Sequence, residues 1–253
     1  MRILLALLFI VCSMQVIAQT RTIHIVVALC DNENQGIVKV PIGIGNGQHP
    51  ASNLYWGCGY GVKTFFQKHD PNWKLIKTIQ NPDSVIYERL IFKHKDSAVF
   101  IVADAYNGAK IQQTTIDLLN FAAGNHKQTL QLANQTINFG GGADLIAYIG
   151  HNGLMDFTLT SYPTKNDDKK RAVVILACAS KFYFQEAIKR GGSFPLLWTS
   201  GLMCPEAYTI SAIANAWVLH NKPQEIRLAA AQAYNQYQKC GLKGAKNLLL
   251  TGW

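Results

Sequence analysis

The sequence lacks a CxxC pair, an internal repeat and any low-complexity tract. The cysteines that are present have no spacing that suggests zinc, so no metal site is expected. Beyond the first residues there is no apolar run approaching the ~20 residues that a transmembrane helix needs, and stable membrane insertion is not expected. Acidic residues are few, 15 against 24 Lys and Arg, and the formal net charge is +9. The basic residues are spread over Lys63–Lys77, Lys93–Lys95, Lys165–Arg171 and Lys239–Lys246, with no single stripe interleaved with aromatics. That distribution reads as an ordinary basic exported surface, with no nucleic acid as partner.

What is present describes a globular chain. Hydrophobic residues make up 49% and charged residues 15% of the 253 positions, enough for one large core without staples. Met1-Arg2 gives a short positive start, Ile3 to Val11 an apolar core, and Val16-Ile17-Ala18 a small-residue cleavage site. Residues 1–18 are therefore expected to be a signal peptide, 19–253 one α/β domain, and the mature protein exported, periplasmic or secreted. With Cys12 in the leader, Cys30, Cys58, Cys178, Cys204 and Cys240 remain. Five is odd, so at least one thiol is free unless it pairs with another chain.

Short continuous apolar runs predict strands buried on both faces, as in a parallel sheet. Ile23–Leu29, Ala98–Ala103 (ending at Asp104), Leu145–Gly150, Ala172–Ala177 and Phe194–Thr199 fit. A hairpin is expected over Trp73–Ile79 and Val85–Phe92, and a short one over Met155–Leu159. Apolar stripes predict helices over Asn53–Lys68, Lys110–Ala123, Lys181–Arg190, Ala207–Leu219 and Gln224–Gln238. The repeated strand–helix order implies a mostly parallel sheet with helices on both faces. The glycines of Gly43-Ile44-Gly45-Asn46-Gly47 lack the spacing, the preceding strand and the downstream acid of a dinucleotide fingerprint.

Two of the runs stop at reactive residues, Leu145–Gly150 at His151 and Ala172–Ala177 at Cys178. Ligand sites in open α/β sheets lie outside the carboxyl ends of the strands. A base and a nucleophile can therefore share one cleft there, the imidazole taking the proton of the thiol. Taken singly, Cys178 reads as a core residue, because free cysteine is among the most buried types, and His151 as a turn residue satisfied by hydrogen bonds; the pair points to a site. Backbone N–H groups of Gly153 and Cys178 are candidate oxyanion donors. Asp104, at a strand end, is a candidate receptor for a Lys or Arg side chain of a substrate, or else a capping residue, and Asp156 is a similar candidate. Trp198, Ser200 and Met203 follow the next strand and are candidate cleft residues.

An apolar block, His151, a nearby glycine, a second apolar block, then Ala177 and Cys178 resembles the layout of the caspase-like cysteine peptidases, the group of caspases, gingipains, legumains and clostripain. The order His before Cys is the same. The motif covers about 145 to 180, while the order of strands and helices extends over most of the mature chain. The resemblance implies a caspase–hemoglobinase-like αβα sandwich, and a His151–Cys178 dyad that hydrolyses peptide or protein substrates by acyl transfer without a cofactor. Asn152 stands where the group usually has glycine, and Lys181-Phe182-Tyr183 where small residues often occur. These departures open a second reading, the same fold used as a catalytically inactive binding or scaffold domain. A third is an unrelated α/β domain in which Cys178 is only core. It differs in requiring no adjacency of the two strands.

Overall fold

Continuous apolar runs become the middle of one sheet. A computed structural model describes residues 20–133 and 135–253; the expected signal peptide lies outside the described residues. The elements in chain order are β1 (Arg21–Ala28), α1 (Val62–Lys68), β2 (Trp73–Asp83), β3 (Ile86–His94), β4 (Val99–Tyr106), α2 (Ile111–Ala123), β5 (Lys127–Leu132), β6 (Gln135–Gly140), β7 (Leu145–Ile149), β8 (Ala172–Leu176), α3 (Ser180–Gly191), β9 (Phe194–Thr199), α4 (Ala207–Val218), α5 (Pro223–Gln238), α6 (Leu242–Leu248) and β10 (Leu249–Leu250). The main sheet has eight strands in the order β10-β9-β8-β7-β1-β4-β3-β2. Strands β4, β1, β7, β8 and β9 run parallel, and β3, β2 and β10 add antiparallel edges.

Alternation along the strands feeds two cores. Ile23, Ile25 and Val27 of β1, Leu145 and Ala147 of β7 and Val174 of β8 meet Phe65 and Phe66 of α1, Ile210 and Ile213 of α4 and Ile226 of α5. On the other face, Val26, Ile146, Tyr148, Val173 and Ile175 meet Leu118 and Phe121 of α2 and Phe184 and Ile188 of α3. Helices thus cover both faces, compatible with a three-layer sandwich. The antiparallel β5–β6 pair lies over the second face, where Ile137 and Phe139 pack on Ile91, Phe100 and Val102.

Three expectations change. The helix expected over Asn53–Lys68 is only Val62–Lys68. Its first half is a run of tight turns, which the low helix propensity of Gly57, Gly59 and Gly61 favours, and in which a side chain at Gly57 would meet Ala51 O and one at Gly61 would meet Trp56 O. Asp104 does not end its strand, since β4 continues to Tyr106 and the carboxylate is buried within the sheet. No hairpin forms at Met155–Leu159, where Gly153–Met155 is a single 3₁₀ turn.

Candidate functional site

Parallel pairing sets Ile149 of β7 opposite Leu176 of β8. His151 and Cys178 each lie two residues beyond those partners, so they leave adjacent strands at the same level. The reading that Cys178 is merely a core residue of an unrelated arrangement does not require this adjacency. The strand order β4-β1-β7-β8-β9 reverses between β1 and β7. Crevices outside the carboxyl ends of strands at such a reversal are the usual ligand sites of open α/β sheets. His151 and Cys178 line one cavity of about 430 Å³ beside this point, with Gly36, Val38, Tyr55, Gly150, Met203, Cys204 and Glu206 among its walls.

Each group is held by specific bonds. His151 is 7% exposed, and its Nε2 lies 2.8 Å from Asp156 Oδ2. An ionised carboxylate only accepts, so Nε2 carries the proton and the Nδ1 lone pair is left to act as base. Asp156 Oδ2 also accepts from Gly36 N–H at 2.9 Å. A side chain at Gly36 would meet Asp156 Oδ1, so glycine there lets the loop close on the carboxylate without displacing it. The loop is itself anchored by buried Asn53. Its Oδ1 accepts from Cys30 N–H and Tyr55 N–H, while its Nδ2 donates to Cys30 O and Asn46 O.

Cys178 occupies the turn between β8 and α3, followed by Ala179 in the left-handed conformation at φ 48°. A non-glycine residue held there is strained, a state that clusters at functional sites. The N-terminal end of the 12-residue α3, where the macrodipole favours negative charge, begins two residues later. The thiol donates to Met203 O at 3.6 Å and accepts from Met203 N–H at 3.4 Å. It makes no hydrogen bond to His151 among the described residues.

Asn152 joins the two strand ends. Fully buried, it donates from Nδ2 to Cys178 O at 2.7 Å and accepts from Leu154 N–H at 3.1 Å through Oδ1. Tyr148 OH donates to His151 O at 2.6 Å from the preceding strand. The residue that departs from the caspase-like layout is thus a clamp between the His and Cys loops. Asn152→Ala leaves a half-buried carbonyl and a buried N–H without these partners. It is expected to destabilise the protein by about 1–3 kcal/mol, read as a shift of the urea midpoint at unchanged slope.

The remaining sequence-derived candidates fall elsewhere. Gly153 is buried in the 3₁₀ turn, where a side chain would meet Phe157 at 2.8 Å, and the glycine on the cavity wall is Gly150. Asp104 is fully buried and engaged by Arg89 at 2.6 and 2.7 Å and by His24 at 3.1 Å, so it has no surface to offer a substrate. Trp198 is buried against Trp253 and Lys181. Ser200 donates to Asn247 O beside α6. Met203 does line the cavity. Asp156 is spent on His151, and Glu206, which the sequence pattern marks only as the residue before a helix, lines the cavity instead.

All five described cysteines are free. Burial pushes the Cys30 thiol up to about 11, as expected of an inert core cysteine. Cys204 is raised by partial burial and by the charges of Glu206 and Cys178. Among the described residues no three His, Cys, Asp or Glu side chains are grouped to hold a metal ion, and no helix is long and apolar enough to cross a membrane. No protein-family model, curated protein or solved structure matches the chain.

Proposed function

We propose that this chain is an exported cysteine endopeptidase with a caspase–hemoglobinase-like fold, Cys178 being its nucleophile and His151 its general base. The observation that carries this reading is the register: base and thiol leave adjacent parallel strands at the same level and line one cavity. The His151–Asp156 bond supports it, because it fixes the imidazole with a free lone pair. Export rests on the composition of residues 1–18.

In the proposed reaction the thiol leaves Met203 O and gives its proton to Nδ1 of His151. The sulfur then attacks the substrate carbonyl carbon, and Cys178 N–H donates to the developing oxyanion. The C–N bond breaks as the imidazolium protonates the leaving amine. Water, deprotonated by the same imidazole, then hydrolyses the thioester. This chemistry calls for no cofactor. Val38, Leu202 and Met155, which are 91, 77 and 43% exposed, give the cavity an apolar rim suited to a peptide or protein chain.

The second reading, an inactive binding domain, is favoured by one observation, the engagement of the thiol with the Met203 backbone instead of the imidazole. A positional-scanning peptide library incubated with wild type and with Cys178→Ala separates the two. Hydrolysis by wild type alone supports the peptidase, and equal signals from both proteins contradict it.

A further inference from the structure

We propose that Glu206 makes the cavity a receptor for a cationic side chain, so that the substrate carries Lys or Arg next to the bond that is cut. The proposal rests on the peptidase reading for the word substrate, but the cation site itself does not depend on catalysis.

Glu206 precedes α4 at its N-cap, where the shorter Ser, Thr, Asp and Asn side chains accept from the first helical N–H groups. It makes no such bond. Instead Oε2 accepts from Tyr208 OH at 3.2 Å and from Gln238 Nε2 at 3.4 Å, while Oε1 has no partner among the described residues. Both donors are neutral and both bonds are long for a carboxylate. In keeping with this, partial burial raises the Glu206 carboxyl above the ordinary range despite the bond from Tyr208.

The wall around this group is otherwise suited to an aliphatic stem, with Leu54, Tyr55, Met203 and Pro205 beside it. Among the described residues no Lys or Arg lines the cavity. The other nearby acid, Asp156, is occupied by His151 and Gly36 N–H. A half-buried carboxylate with a vacant oxygen, in an apolar cavity without its own cation, is complementary to a long side chain ending in an ammonium or guanidinium. The apolar stem is covered while the charge is paired.

The test uses butylguanidine and its uncharged counterpart butylurea as probes, and reads the rate of Cys178 carboxymethylation by mass spectrometry. Butylguanidine is expected to slow labelling of wild type about fivefold once present at about four times its Kd. Butylurea should do little, and protection should vanish in Glu206→Gln and partly return in Glu206→Asp. In the peptide arm, wild type is expected to prefer Lys or Arg over norleucine by at least about tenfold in kcat/KM, and Glu206→Gln to bring that ratio toward one, mainly through KM. Equal protection by both probes, no protection of wild type by either, or undiminished protection of Glu206→Gln overturns the cation site. Protection that depends on Glu206 in a protein that cleaves no peptide leaves the cation site standing and removes the peptidase.

Discussion

Cys178→Ala is expected to lower kcat/KM on the best peptide of the library by at least about 10⁴-fold, because the covalent intermediate forms on its sulfur. Cys204 also lines the cavity, but its thiol is raised by burial and by the charge of Glu206, the wrong direction for a nucleophile. His151→Ala should lose about 10²–10⁴-fold, the usual worth of a positioned acid–base group. Asp156→Asn replaces an acceptor of the Nε2 proton with an amide that can donate, which permits the wrong imidazole tautomer. A loss of about 10–10³-fold is expected, with the fold unchanged. The ordering of the three variants is the informative result. A merely structural Asp156 would instead lower the unfolding midpoint without changing the pH profile of hydrolysis.

The largest effect on stability is expected away from the cavity, at Asp104. This carboxylate is fully buried between β3 and β1, with both oxygens bonded by Arg89 and one by His24 Nε2. Nδ1 of His24 accepts from Gly140 N–H, so the Nε2 proton is the one aimed at Asp104. The Arg89 guanidinium stacks on the Phe139 ring, 4.5 Å from its centroid. Burial by itself would raise the carboxyl, but the bonds from Arg89 and His24 outweigh it and hold the group below its ordinary value of 3.8. A folded-state value below the unfolded one gives stability that is fully present above about pH 4 and lost as the pH falls through the folded value. Asp104→Ala leaves Arg89 buried and unpaired, and is expected to cost about 3–5 kcal/mol, measured by urea unfolding at neutral pH. Replacing Asp104 and Arg89 together by apolar residues of similar volume should recover most of that loss. A double variant as unstable as the single one contradicts this account.

Asp104 also shows where a sequence reading stops. A charged residue after Val99–Ala103 looks like a strand end, and only the partners on β3 and β1, distant in sequence, explain how the strand continues through it. The β5–β6 pair was hidden for a related reason. Its strands alternate polar and apolar residues and cover the sheet with one side only, so they lack the continuous runs that mark β1, β7 and β8. The glycines at 57, 59 and 61 lower helix propensity, and the close approaches to Ala51 and Trp56 that the turns need them for are made to residues outside any local pattern. The His151 and Cys178 ends were legible because fully buried parallel strands announce both their length and their stop. Asn152, Asp156 and Glu206 were not legible in their roles, since Asn152 and Glu206 act through partners distant in sequence and Asp156 reaches His151 only through the 3₁₀ turn between them.

The rate of Cys178 alkylation by iodoacetamide, followed site by site by mass spectrometry in wild type and in His151→Ala, tests the central claim without knowing the substrate. Cys240 is an exposed thiol outside the cavity in the same molecule and serves as internal reference. A working dyad predicts that half-buried Cys178 reacts at least about tenfold faster than Cys240, because the thiolate is the reactive form, and that His151→Ala removes the difference. If Cys178 in wild type reacts no faster than Cys240, or if His151→Ala leaves its rate unchanged, the imidazole does not activate the thiol and the peptidase reading is wrong.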